Sequence, residues 1–177
     1  MSWSLRAVAG FCLVLTACHQ ATQRSDAPVV ATRADSLVLE RTRCFGACPA
    51  YRLRLRADGH VAFTSLVPRD SGLTFVDSMA PEKFTWLVQR ADRIGIAKLP
   101  PVVAQDTLLC AVRGTDHPTV TVSLFRPGAV TRVEDYRGCY AGSNLAVVGA
   151  LARLRTFTGQ IDSVARTSRW TAHVTRQ

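Results

Sequence analysis

Four leucines and a pair of cysteines leave the first third of this chain one good way to fold. Leu37, Leu39, Leu53 and Leu55 alternate with polar or charged neighbours at period two, as strands with one buried face do. If Phe45-Gly46-Ala47 turns the chain so that Cys44 faces Cys48, counting outward sets Glu40 against Arg52, Leu39 against Leu53 and Leu37 against Leu55. That register pairs leucines on one face and opposite charges on the other, and a one-residue slip destroys both matches. Directly facing strand positions lie within disulfide reach, so the agreement favours a Cys44–Cys48 bridge.

Asp58-Gly59 is the preferred pair for a two-residue type I′ hairpin loop. It would return the chain with Ala57 facing His60, Leu55 facing Ala62 and Leu53 facing Thr64. Arg52, Arg54 and Arg56 line one face of the second strand, with Val61 and Phe63 opposite the last two. Between an anion-binding stripe and arginine stems lying over apolar neighbours with their heads in water, the second is expected.

Further on, Leu73 to Val76 reads as a short strand. Pro81 suits a first helical turn, and Phe84, Leu87, Val88, Ala91 and Ile94 repeat at helical spacing before Gly95. A long connection from Lys98 to Pro118 is unusual for a compact domain. Val120, Val122 and Leu124 alternate along a strand, Pro127-Gly128 turns the chain, and Val130 to Tyr136 returns it. Ser143 or Asn144 can cap a helix with Val147, Val148, Leu151 and Leu154 facing inward, interrupted by Gly159 before Ile161 to Ala165. Trp170 is expected to pack the last segment down. The fold class is therefore α+β: a mostly antiparallel sheet of hairpins with two helices on one side, stapled by disulfides.

The first residues carry an address. Arg6 gives a short positive region and Ala7 to Leu15 a compact apolar one, ending in Leu15-Thr16-Ala17-Cys18. That tetrapeptide resembles the lipobox of bacterial lipoproteins, in which the cysteine thiol receives a diacylglycerol. The resemblance implies a signal peptide over residues 1–17, a lipid on Cys18 and anchoring by several acyl chains. His19 stands where an Asp usually means inner-membrane retention, so the outer membrane, facing the periplasm, is the expected location. Residues 18–35 read as a tether, 36–171 as a single globular domain and 172–177 as a tail.

Of the 22 basic residues 20 are Arg, against 13 acidic ones, a formal net charge of +9. The charges are scattered, aromatics reach only 7% and no groove-reading motif occurs, so nucleic acid is not an expected partner. An envelope protein or an anionic envelope surface is. Cys12 leaves with the signal, and Cys44, Cys48, Cys110 and Cys139 remain, an even set suited to disulfides with three possible connectivities. A Cys110–Cys139 bridge would close about 30 residues, with a loop-entropy gain of roughly 3 to 4 kcal/mol, against about 2 for Cys44–Cys48.

Arg41-Thr42-Arg43-Cys44-Phe45-Gly46-Ala47-Cys48-Pro49-Ala50-Tyr51, followed by Asp58-Gly59, resembles the opening of a bacterial family catalogued as domain of unknown function 6438. Thr115-Asp116-His117-Pro118-Thr119, Ile161-Asp162 and Trp170 extend the likeness over about residues 36 to 171. The family brings no catalytic residues to transfer. Many of its members have no counterparts of Cys110 and Cys139, which implies that each cysteine couple pairs within itself.

Cys44-x-x-x-Cys48-Pro49 also looks like the copper-binding segment of Sco-type thioredoxin-fold proteins, with His60, His117 or His173 as a third ligand. That motif opens a helix, whereas here it precedes a hairpin, so a structural disulfide is expected, with no metal or cofactor. No nucleophile elbow, zincin helix or phosphate-cradling glycine loop occurs. Asp116 beside His117 reads as an Asx-turn before a strand, and Glu134 and Asp135 point to opposite faces. The expected function is non-catalytic binding or scaffolding in the envelope; thiol-redox or copper handling through Cys44 and Cys48 is the alternative.

Overall fold

The computed structural model of the chain describes residues 33–174, so Cys18, the signal region and the last three residues lie outside the described residues. Six strands form one antiparallel sheet: β1 (Ser36–Arg41), β2 (Tyr51–Arg56), β3 (His60–Ser65), β4 (Thr74–Ser78), β6 (Thr119–Arg126) and β7 (Ala129–Tyr136), in the order β4-β3-β2-β1-β6-β7. Two short strands, β5 (Val112–Arg113) and β8 (Cys139–Tyr140), pair separately. Among the described residues there are three α-helices, α1 (Pro81–Ile94), α2 (Leu145–Ala165) and α3 (Ser168–Val174), one more than the periodicity predicts, and three short 3-10 turns.

The first hairpin has the register derived above, with Leu37 opposite Leu55, Leu39 opposite Leu53 and Glu40 opposite Arg52. All four leucines are fully buried. The second hairpin differs by one residue. Leu53 pairs with Phe63, Leu55 with Val61 and Arg54 with Ala62, because the loop is three residues long, Ala57-Asp58-Gly59. Gly59 takes φ +88° and donates its N–H to the Arg56 carbonyl at 3.0 Å. A two-residue loop would have put Ala62 and Thr64 on the core face; the longer one puts Val61 and Phe63 there, both 1% exposed. Apolar matching outweighs the preference of Asp-Gly for a tight turn. A side chain at position 59 would also collide with the Met79 carbonyl oxygen.

α1 begins with Pro81 and ends on Gly95 in the left-handed region, burying Phe84, Leu87, Val88 and Ala91. Asn144 caps α2, its side-chain oxygen accepting from Ala146 N and Val147 N at 3.1 and 3.3 Å. The helix then runs unbroken through Gly159, since Phe157 and Ile161 on either side are fully buried and hold it against the sheet. Val148, expected inside, is 40% exposed. The connection after α1 is not structureless. Val103 and Leu109 are buried, and Pro101 and Val102 lie along the outer edge of β7, where the Glu134 N–H donates to the Pro101 carbonyl at 2.9 Å. The fold also starts before Ser36, with Ala34 buried and Asp35 N bonded to the Phe125 carbonyl. No helix among the described residues is long and apolar enough to cross a membrane.

Candidate functional site

Continuing the first hairpin's register outward sets Arg41, the last residue of β1, opposite Tyr51, the first of β2. Both share the leucine face, so an arginine is carried toward the core and needs an acid there. Asp162, near the end of α2, supplies it. Its Oδ2 accepts from Arg41 Nε at 3.0 Å and Nη2 at 2.5 Å, and its Oδ1 from the Tyr51 hydroxyl and from Thr167 Oγ1 at 3.3 Å. Arg41 Nε also donates to the Tyr51 hydroxyl at 2.9 Å. Burial, and then the Asp162 carboxylate, push the Tyr51 phenol well above its ordinary value. Burial pulls the Arg41 guanidinium down, but Asp162 and Tyr51 more than offset it and hold it above its usual value.

A second charged group lies beside this one. Asp135, 1% exposed, is held by Arg155 through Nε and Nη2, both at 3.1 Å, and Arg155 also donates to the Cys139 carbonyl at 2.8 Å. Arg137 donates to Thr158 Oγ1 at 2.6 Å, and its Nε has no partner among the described residues. Burial drives the Arg137 guanidinium down to about 10; Asp135 opposes this, and the neighbouring Arg41 and Arg155 add to it.

Both disulfides form. Cys44 and Cys48 bridge the loop between β1 and β2 with Cα atoms 5.6 Å apart, and Cys110 joins Cys139 at 4.7 Å. The first loop closes over the Arg41–Tyr51–Asp162 group. Cys48 and Pro49 on one side, Pro118 on another, and Thr167, Ser168 and Thr171 from the C-terminal segment enclose a cavity of about 300 Å³ against that group. The donors of Tyr51 and Thr167 are spent on Asp162, whereas Arg41 Nη1 donates to nothing among the described residues. The cavity therefore offers the Arg41 Nη1 group, a sulfur atom and two prolines to a ligand that brings an acceptor and some apolar surface.

The remaining candidates stay apart. Phe45 stands 89% exposed at the tip of the first disulfide loop, with its N–H on the Asp116 carbonyl at 3.2 Å. The Asp116 carboxylate accepts from Thr115 Oγ1, while His117 packs edge-on against Tyr136 and Tyr140, so the two make no acid–base pair. Cys44-x-x-x-Cys48-Pro49 links two strands and opens no helix, and no three His, Cys, Asp or Glu side chains cluster for a metal among the described residues. Glu134 and Asp135 do face opposite ways, the first onto the open sheet and the second into the core. Asp162 is the residue sequence reasoning missed. It lies 121 positions from Arg41, and the available signal was that the register itself puts Arg41 on a buried face.

A family model described as Domain of unknown function (DUF6438) matches residues 35–158. The match ends inside α2, short of Asp162 and Trp170. No curated protein matches the chain.

Proposed function

The chain belongs to this family of unknown function, and from that premise we propose that it is a bacterial lipoprotein acting as a non-catalytic binding domain. Cys18 carries the lipid, the outer membrane holds it, and the domain faces the periplasm. The cavity beside Cys48 takes an acceptor-bearing segment of another envelope component. The observation that carries this reading is the wall of that cavity: a crosslinked loop on one side and the hydrogen-bonded Arg41–Tyr51–Asp162 network on the other. Such a wall is organised before any ligand arrives, which lowers the ordering cost of binding. Every carboxylate oxygen of Asp162 is occupied by donors, which suits holding a shape and leaves no free base.

A photoreactive residue placed at Thr171 in living cells tests this. A discrete adduct with one envelope component, absent when the probe sits at Trp86 on α1, supports the reading. Identical adducts from both positions, or none from Thr171, overturn it. One observation keeps thiol-redox chemistry as a second reading: Cys48 itself lines the cavity. That reading requires Cys44–Cys48 to open under mild reductant while Cys110–Cys139 stays closed, and Cu(I) handling requires stoichiometric binding that Cys44→Ser abolishes.

A further inference from the structure

Among the described residues no helix or strand covers the face of the sheet opposite the helices, yet two of its residues are deeply set. Thr121 is 6% exposed and Ser123 7%. Neither hydroxyl makes a side-chain hydrogen bond among the described residues. Cross-strand pairing explains the setting. Arg54, Val38, Ser123 and Arg132 form one row across β2, β1, β6 and β7. The two arginines stand three strand spacings apart, about 14 Å, with the small side chains of Val38 and Ser123 between them. The result is a trough of about 150 Å³ with Arg54 and Arg132 on two sides, lined also by Thr121, Ser123 and the Arg52–Glu40 pair, whose carboxylate is held by its own arginine. The next row has its charges matched, Arg52 bonding to Glu40 at 2.8 Å. Arg54 has no acidic partner among the described residues, and Arg132 reaches Glu134 only at 3.4 Å and in water.

We propose that this trough binds a phosphomonoester group. Two guanidinium groups approaching from opposite sides, and hydroxyls from beneath, call for acceptor oxygens pointing in three directions. A tetrahedral phosphoryl group with three terminal oxygens provides them; a planar carboxylate with two does not. The Thr121 and Ser123 hydroxyls line the trough, where a phosphoryl oxygen can accept from them. The formal charge of +9 on the chain draws such an anion in. Apolar floor beneath the arginines, the arrangement expected from sequence, is present at Val38 and Ala62, but Ser123 and Arg132 turn a solvated stripe into a bounded site. The inference is independent of the cavity beside Cys48 and of the lipid on Cys18.

Calorimetric titration of the full chain with inorganic phosphate, at low ionic strength and pH 7.5, tests it. Saturable one-to-one binding is expected, weakened about 10-fold or more by Arg54→Gln or by Arg132→Gln and unchanged by Lys83→Gln, which removes equal charge from α1. Acetate should bind at least about 10-fold more weakly than phosphate. Unchanged thermal unfolding of each variant confirms that the domain remains folded. Sedimentation with phosphatidylcholine vesicles containing phosphatidic acid separates the sources. Binding that free phosphate displaces identifies a lipid headgroup, and phosphate binding without vesicle binding identifies a soluble phosphoryl compound. Absence of saturable phosphate binding, acetate binding as tightly as phosphate, full binding by the Arg54→Gln/Arg132→Gln double variant, or equal loss in Lys83→Gln overturns the proposal.

Discussion

Two ion pairs made by adjacent residues of β1, Glu40 to Arg52 across the hairpin and Arg41 to Asp162 of α2 on the opposite face, make a sharp test of what holds the cavity end of the fold. Arg41–Asp162 is 20% exposed on each side, whereas the Arg52–Glu40 pair is 57% and 28% exposed. Removing one partner of a buried pair costs about 3 to 5 kcal/mol, and an exposed pair is worth about 0 to 1. Asp162→Asn keeps the shape but leaves Arg41 without its counter-charge beside Arg137, which burial has already drawn down to about 10. Because a fifth of each side chain still meets water, the expected loss lies below the buried limit, about 2 to 3 kcal/mol. For a domain of this size that lowers Tm by roughly 6 to 12 °C. Glu40→Gln should cost less than about 0.5 kcal/mol. Tyr51→Phe alone should cost about 1 kcal/mol, and because Tyr51 and Asp162 share a hydrogen bond the double variant should cost less than the sum. Urea unfolding of the oxidised protein measures all four. Equal and small losses in Asp162→Asn and Glu40→Gln would refute the assignment of the Arg41–Tyr51–Asp162 group as the structural back of the cavity.

The disulfides should differ in the same assay: Cys110→Ser/Cys139→Ser should lose roughly 3 to 4 kcal/mol and Cys44→Ser/Cys48→Ser about 2, and the reverse order would contradict the loop-closure argument. In an alkaline titration followed by phenolate absorbance, wild type minus Tyr51→Phe should show no step near pH 10. The raised phenol stabilises the fold fully below that pH, and its contribution fades only as pH climbs through the higher folded-state value; a step near pH 10 would place Tyr51 in water. Arg169, with backbone and Arg166 contacts, holds the Asp77 carboxyl below its usual value, so its contribution is present above about pH 4 and is lost as pH falls through the folded-state value. Trp170, under the Arg169 guanidinium at 4.1 Å, should report that loss by fluorescence, and Asp77→Asn should flatten the acid limb; an unchanged limb would exclude this clasp.

The first hairpin was legible because two independent matches, leucine to leucine and Glu40 to Arg52, reject every other register. In the second hairpin the turn preference of Asp58-Gly59 points one residue away from the observed register. Matching Leu53 and Leu55 to Phe63 and Val61 would have selected the longer loop. Gly159 looked like an interruption because a glycine costs about 1 kcal/mol in a helix, but burial of Phe157 and Ile161 outweighs that. The cavity and the trough were less visible for a different reason. Both depend on elements far apart in sequence: α2 against β1 in one case, and β6 beside β1 in the other. Local periodicity places a residue on a face, as it did Arg41 and Arg54, but does not say which distant strand or helix will meet it.

Intact-protein mass spectrometry of the chain extracted from membranes tests the central claim, that export and lipidation deliver the domain to a compartment where its cysteines become crosslinks. The account predicts a chain that starts at Cys18, with residues 1–17 removed. It should be heavier by its acyl groups and lighter by the four hydrogens lost in forming two disulfides. A full-length, unacylated mass with every thiol reduced would contradict it.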